Sequence, residues 1–305
     1  MFCGRCGGIK MKMIIRNDDV GYSEINDLGM FETLDKGVST SCDVMLESPG
    51  TEKVLEKLRN YPWISIGWHS HCWNAPVLGA KNVPSLVIPE TGRFRHDLHT
   101  AEDVDHGEIL DEFRAQIERC IGILGKAPDV CGLDGPPSPF NRAQKQVCEE
   151  YGIATGFCNQ LDNPAAEPVY AKAQWADRNI YFMDPGIAYK DILTDSIKEQ
   201  QAYDPVKYYT ENRFHIEKFP ENAVLVQAWH PGYLDYFVYK EGDYGQGAMM
   251  FTAVRVQDVH ALCSPELKKW IKENRIELIN FRDALYGTKE YQNHLRNIGS
   301  DLFVR

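Results

Sequence analysis

Four apolar stretches of this chain each run out into a side chain able to hold a cation or move a proton. Met13-Ile14-Ile15 leads to Asn17-Asp18-Asp19, and Ile64-Ser65-Ile66-Gly67 leads to His69. Val130 to Leu133 ends at Asp134, and Ala223 to Trp229 closes at His230. Two adjacent carboxylates repel, so ionising both in a partly buried site is costly unless a cation lies nearby. Asp19, His69 and Asp134 make a mixed oxygen and nitrogen donor set suited to Zn²⁺, or to a harder cation such as Mg²⁺. With those three on the ion, Asp18 remains as a base for water and His230 as an acid for a leaving nitrogen or oxygen. That is the chemistry of a hydrolase acting at a carbonyl carbon.

Each residue also has a plainer use. An Asp pair before a helix can simply cap it, and a single His is commonly a hydrogen-bonded structural group. Asp134 before Gly135-Pro136-Pro137 and His230 before Pro231-Gly232 both keep turn-forming company. Joint placement favours chemistry: the carboxyl ends of parallel strands share one face, and active sites lie there. His71 stands two residues after His69, so on an extended strand the two rings point the same way. It can face the same mouth or touch substrate. Trp68, Trp73, Trp229 and Tyr233 fall near that mouth, where rings stack on sugar faces, although core packing is the commoner use.

The elements that must position these groups alternate strand and helix. Ser23 is a plausible N-cap for a helix with Ile25, Leu28, Phe31 and Leu34 at helical spacing, and Gly37 sits where a left-handed C-cap would fall. Cys42 to Leu46 reads as strand and Thr51 to Arg59 as helix. A stripe of Ile109, Phe113, Ile117, Cys120 and Leu124 marks a helix over Gly107 to Leu124, stopped by Gly125. Asn141 to Tyr151 reads as helix, Ile153 to Phe157 and Ile276 to Asn280 as strands, and Ser264-Pro265 as a helix start. The regions 74–106 and 159–222 read as long loops with some local structure. The alternation implies parallel strands with right-handed crossovers, hence an α/β fold. Residues 1–12 read as a disordered leader, 13–290 as one catalytic barrel domain and 291–305 as a C-terminal tail.

The bulk properties exclude some partners. The chain of 305 residues carries 44 acidic against 33 basic side chains, for a net charge of −11. No basic stripe is present to meet a nucleic-acid backbone or an anionic membrane surface. No apolar run approaches the roughly 20 residues of a membrane span, and the first residues lack a secretory apolar stretch. A cytoplasmic enzyme with a small neutral substrate is the expectation. Nine cysteines, scattered and odd in number, fit reduced thiols. The lone Cys3-x-x-Cys6 has no second pair to complete a zinc site.

With these residues in view, the chain resembles the YdjC-like carbohydrate deacetylases over most of Met13 to Tyr286. Asn17-Asp18-Asp19-Val20-Gly21 is similar to the family's Asn-x-Asp-Asp-Phe-Gly, and Gly67-x-His69 to its Gly-x-His. Gly92-Arg93-Phe94, Glu112-x-x-x-Gln116-Ile117, His230-Pro231-Gly232 and Arg255-x-x-Asp258 follow in the family's order. The resemblance implies a distorted (β/α) barrel of the polysaccharide deacetylase or TIM-like kind. It implies a divalent metal on an Asp-His-His set, and removal of acetyl from an N-acetylated sugar or oligosaccharide. Carried onto this chain, Asp19 and His69 become ligands, Asp18 the base and His230 the acid. His71, Trp73, Arg93, Tyr233 and Arg255 form the candidate substrate-binding set, and a homodimer is the family-level expectation.

The chain departs from the family at the third ligand. Counted from Pro128, Asp134 stands where the family's ligand histidine would be, and Pro136 replaces the second one. His71 also replaces a usual Asn, which points to a different substrate. A same-fold hydrolase of a non-sugar substrate and a catalytically silent carbohydrate-binding homologue are the other readings.

Overall fold

Short apolar runs cannot bury both faces alone, and here each one adds a stave to a parallel sheet covered by helices. The structure is a computed structural model that describes residues 11–132, 137–161, 168–183, 203–236 and 248–304. In chain order the elements are β1 (Lys12–Val20), α1 (Glu24–Asp35), β2 (Ser41–Val44), α2 (Thr51–Leu58), β3 (Ser65–Trp68), α3 (His106–Leu124) and α4 (Pro139–Tyr151). There follow β4 (Ile180–Phe182), α5 (Pro205–Thr210), β5 (Val224–Trp229), α6 (Ala248–Cys263), α7 (Pro265–Glu273), β6 (Glu277–Leu278), α8 (Phe281–Tyr286) and α9 (Glu290–Asn297). Cys3 and Cys6, and the expected leader as far as residue 10, lie outside the described residues. No helix among the described residues is long and apolar enough to cross a membrane.

The sheet runs β3-β2-β1-β5-β4, all parallel, with β6 paired to the start of β1. Single bridges complete the circle. Gly67 pairs with Val130, Val130 with Ala154, and Asn159 with Tyr181 of β4, each in parallel. The result is the expected distorted (β/α) barrel. Its distortion lies in those two weak staves, which were expected as strands over Val130 to Leu133 and Ile153 to Phe157. Gly156, at φ +62°, turns the second of them between its two partners, a bend that glycine permits.

Alternation along the staves sorts the side chains into two cores. Met13, Ile15, Cys42, Val44, Ile66, Trp68 and Leu225 face outward into the helix layer. Ile14, Val130, Ala154, Phe157, Ile180, Val224 and Val226 fill the barrel floor with Ile279 and Phe281. Inward positions one step up belong to Arg16, Asp43, Gly67 and Phe182, and the same parity carries on to Asp18, His69 and His230. The C-terminal residues pack as well: Tyr291 donates to the Ser39 carbonyl at 3.1 Å, and Leu295 and Leu302 join the outer core.

Several elements differ instructively from expectation. Ser23 caps α1 as read, and Phe31 and Leu34 are buried, but Ile25 and Leu28 are 49% and 51% exposed. The buried face of α1 instead carries Asn26, Asp27, Gly29, Met30 and Thr33. Gly37 is not left-handed. A Cβ there would lie 2.5 Å from the Thr33 carbonyl oxygen, so close backbone approach requires the glycine. β4 and α5 fall in a region read as loop, being too short to show a period.

The step that matters most for the site is Gly67. A Cβ built on it would lie 2.0 Å from Asp43 Oδ1. Gly67→Ala is expected to cost about 1–3 kcal/mol by overpacking, measured by urea unfolding. An unchanged midpoint would mean that Asp43 swings aside freely.

Candidate active site

The upper barrel is built around charges that no apolar core would tolerate singly. Arg16, on the same face of β1 as Asp18, donates from Nε to Asp18 Oδ1 at 2.6 Å and from Nη2 to Oδ2 at 2.7 Å. Its Nη1 lies 3.5 Å from Asp43 Oδ2, and the guanidinium carbon is 5.4 Å from the Phe182 ring centroid. A Cβ on Gly132 would meet Arg16 Nη1 at 2.6 Å, so that glycine makes room for the guanidinium. Burial disfavours the charged Arg16, but Asp18 and Asp43 more than reverse this and hold it protonated. Burial pushes Asp43 up to about 6 against the pull of Arg16.

Adjacent residues on a strand normally face opposite ways. Between Asn17 and Val20 the register of β1 against β2 slips by one residue, and within that bulge Asp19 takes φ +56°. Bulges re-aim side chains, and a left-handed non-glycine is a strained conformation that clusters at functional sites. Asp18 and Asp19 therefore lie within the last residues of β1 rather than beyond its end, and both meet the same mouth. Asp19 Oδ1 is 3.0 Å from His69 Nε2 and 3.7 Å from His71 Nε2. Its other oxygen accepts from Arg255 Nη2 at 2.6 Å. Burial opposes ionisation of Asp19, yet Arg255, the His69 hydrogen bond and the nearby charge of His230 hold its carboxyl well below the usual range.

His69, His71 and Asp19 offer one ligand atom each, all within 4.8 Å of one another. Tetrahedral donors about 2.0–2.2 Å from one ion stand about 3.3–3.6 Å apart, and the observed 3.0 and 3.7 Å bracket that span. The residues present therefore fit a small divalent cation. Burial and the neighbouring His69 keep the His71 imidazole neutral, the form that ligates. Burial likewise lowers His230, against the opposing pull of the Asp19 and Asp18 carboxylates in the same mouth. Asp134 lies outside the described residues.

The segment that carries the histidines is tied down at almost every residue. Gln144 of α4 donates to Ser70 Oγ at 2.5 Å, and His99 Nε2 lies 2.9 Å from the His71 carbonyl oxygen. Cys72 is left-handed at φ +57°. The Trp73 amide donates to Glu47 at 3.2 Å, and its indole stacks on His71 with centroids 4.4 Å apart. Arg93 Nη2 donates to the Trp73 carbonyl at 3.3 Å and to Asn74 Oδ1 at 3.2 Å. Behind them, Glu112 accepts from the amides of Val77 and Leu78 at 2.9 and 3.0 Å, and Gln116 accepts from Trp68 Nε1 at 3.1 Å.

The structure thus brings Asp18, Asp19, His69, His71, His230 and Arg255 together, with Trp73 on the His71 ring and Arg93 fastening Trp73. Arg255 is 1% exposed and engaged with Asp19, which leaves it little surface for substrate. Tyr233 directs its hydroxyl to Glu32 of α1. Sequence reading overlooked Arg16, Asp43, Glu47 and the structural work of Glu112 and Asp258. The available signal was a charge inside an apolar strand run, as in Ile14-Ile15-Arg16 and Cys42-Asp43-Val44, since buried charges are rare unless paired.

Comparison with known proteins agrees with this architecture. The family model described as YdjC-like protein matches residues 12–273. A carbohydrate deacetylase of Enterococcus faecalis is 28% identical over 279 residues, covering 88% of this chain and 97% of that protein. Carbohydrate deacetylase 2 of Listeria innocua is 24% identical over 274 residues, covering 90% and 98%. The crystal structure of a cellobiose-phosphate cleavage protein from Enterococcus faecalis shares the fold at TM-score 0.61 and 21% identity, over 90% of this chain and 98% of that one.

Arg16→Met tests the buried charge balance. Removing one partner of a buried ion pair costs about 3–5 kcal/mol. Asp43, raised by burial even beside Arg16, would rise further without it. A carboxyl raised in the folded state contributes stability below its unfolded pKa and loses it as pH rises. The deficit of the variant against wild type, from urea unfolding, should therefore be larger at pH 8 than at pH 5. An equal deficit at both would show that the Asp43 carboxyl does not depend on the guanidinium.

Proposed function

The chain belongs to the YdjC-like protein family, and from that premise we propose that it is a metal-dependent hydrolase removing acetyl groups from an N-acetylated sugar or oligosaccharide. The observation that carries this reading is the convergence of Asp19, His69 and His71 at the barrel mouth. Relatives named carbohydrate deacetylase, matched over nearly their whole length, support a carbohydrate substrate and the removal of an acetyl group.

Asp19, His69 and His71 would hold the ion, with two imidazoles favouring Zn²⁺ or a similar borderline cation over Mg²⁺. When bound, such a cation supplies Lewis acidity toward an acetyl carbonyl and acidifies water. Asp18, fixed by two hydrogen bonds from Arg16, keeps a free lone pair on each oxygen and takes the proton from the attacking water. His230, whose cationic form the Asp19 and Asp18 carboxylates favour against burial, would pass a proton to the leaving sugar nitrogen. Its backbone amide donates to Asp258 at 2.9 Å, which fixes the turn that carries the ring. Trp73, lying over His71 and edge-on to Tyr22, offers an aromatic rim for a sugar face.

His71 would supply the third donor from β3's own extension, in place of the ligand that the sequence assigns to Asp134. The two candidates make different predictions. Zinc retained after dialysis should fall at least tenfold in Asp19→Ala and in His71→Ala, and stay near wild type in Asp134→Ala. The reverse pattern for the last two variants would return Asp134 to the site. Acetate released from a panel of N-acetylated sugars with added Zn²⁺, Co²⁺ or Mn²⁺ tests the activity itself. Asp18→Asn should keep the metal and lose about 10²–10⁴-fold in turnover. Acetate from none of the sugars by the zinc-loaded wild type would overturn the sugar deacetylase reading.

A further inference from the structure

Two buried residues one turn apart on α6 reach two parts of the site that lie far apart in sequence. Arg255 donates from Nη2 to Asp19 Oδ2 at 2.6 Å, and its guanidinium carbon lies 5.2 Å from the Tyr22 ring centroid. Asp258 accepts from the His230 amide at 2.9 Å and from the Tyr203 hydroxyl at 3.0 Å. Each is 1% exposed. Residues i and i+3 share a helix face, so these are two functions of one surface. The turn between them is gripped from its other side. A Cβ on Gly232 would lie 1.9 Å from Asn26 Oδ1 of α1, and the Gly232 amide donates to the Arg255 carbonyl at 3.2 Å.

The two oxygens of Asp19 are consequently unequal. Oδ1 faces His69 at 3.0 Å and His71 at 3.7 Å, whereas Oδ2 faces Arg255. A carboxylate free to rotate can give a cation one oxygen or two. With a charge-assisted hydrogen bond on Oδ2, only Oδ1 is left on the side of the imidazoles.

We infer that Arg255 is a positioning residue that makes Asp19 a single-oxygen donor to the metal, while Asp258 on the same face of α6 locks the acid-bearing turn against it. This rests on Asp19 being a ligand, as proposed above. A low coordination number leaves a position for substrate and favours zinc-like ions over larger, oxygen-seeking ones. Arg255 thus selects the metal without touching it. Its burial also separates this role from a direct contact with substrate.

The first experiment uses the wild-type protein. A zinc-loaded crystal structure with anomalous scattering should show one Asp19 oxygen on the ion and the other still on Arg255. Both oxygens within bonding distance would overturn the inference, whereas zinc bound away from Asp19 would overturn the ligand assignment itself. The second compares Arg255→Gln and Arg255→Lys, loaded with Co²⁺. Arg255→Gln should lose several-fold in visible d–d absorbance as Oδ2 joins the ion, and shift its Zn²⁺ to Mn²⁺ affinity ratio at least tenfold toward Mn²⁺. Arg255→Lys, which keeps a cationic donor, should stay near wild type in both. An unaltered spectrum and ratio in Arg255→Gln would also overturn the inference. If Arg255→Gln fails to fold, the wild-type zinc geometry decides.

Discussion

A closed barrel can hold an ionised side chain in its interior only if that charge is answered within a few ångströms, and the active face of this protein follows from that constraint. Arg16 enters the barrel one layer above Ile14, where an unpaired guanidinium would be prohibitive. Asp18 and Asp43 answer it, from β1 and β2. Their presence dictates the glycines around them, because Gly67 and Gly132 surrender their side-chain volume to Asp43 and Arg16 respectively. The polar layer is thus assembled as a unit: two carboxylates, one guanidinium, and two residues with no side chain to obstruct them.

A second charge balance sits above the first. Asp19 is flanked by His69 and Arg255, and the bulge in β1 directs it there while Asp18 keeps its contact with Arg16. Neighbouring carboxylates are thereby given different partners, one guanidinium each. Arg16 comes from within the same strand and Arg255 from a helix more than 200 residues later. Two adjacent acids with separate cationic partners can take separate roles, one holding an ion and the other moving a proton.

Around this centre, rigidity comes from hydrogen bonds to backbone more than from regular structure. The segment from His69 to Asn74 is not a strand or a helix, yet Gln144, His99, Glu47, Arg93 and Ser48 hold it in place. Glu112 and Gln116 of α3, alike in the family's motif, secure the following loop and Trp68. Metal sites need this kind of support, because a ligand displaced by an ångström no longer shares an ion with the others. The left-handed conformations of Asp19 and Cys72 are strained positions that this network maintains.

The strand and helix order was legible in the sequence because apolar periodicity and capping residues are local signals. Ser23, Gly125 and Ser264 end or begin helices where they stand. The meeting of Asp18, His69 and His230 at one end followed from the common face of parallel strands, whereas Asp19 joins them through the bulge in β1. Tertiary structure decided what lacks a local signal. Arg16 and Asp43 read as stray charges until the barrel closed on them, and α1 buried Asn26 and Asp27 while exposing Ile25 and Leu28. Arg255 read as a substrate contact, and the packing of α6 gave it to Asp19 instead. His71, which sequence spacing left between ligand and substrate contact, came within 3.7 Å of Asp19 only through a non-regular turn held by distant side chains. A periodic pattern specifies which face a residue occupies, whereas the distance between two side chains from different elements is set by how those elements pack.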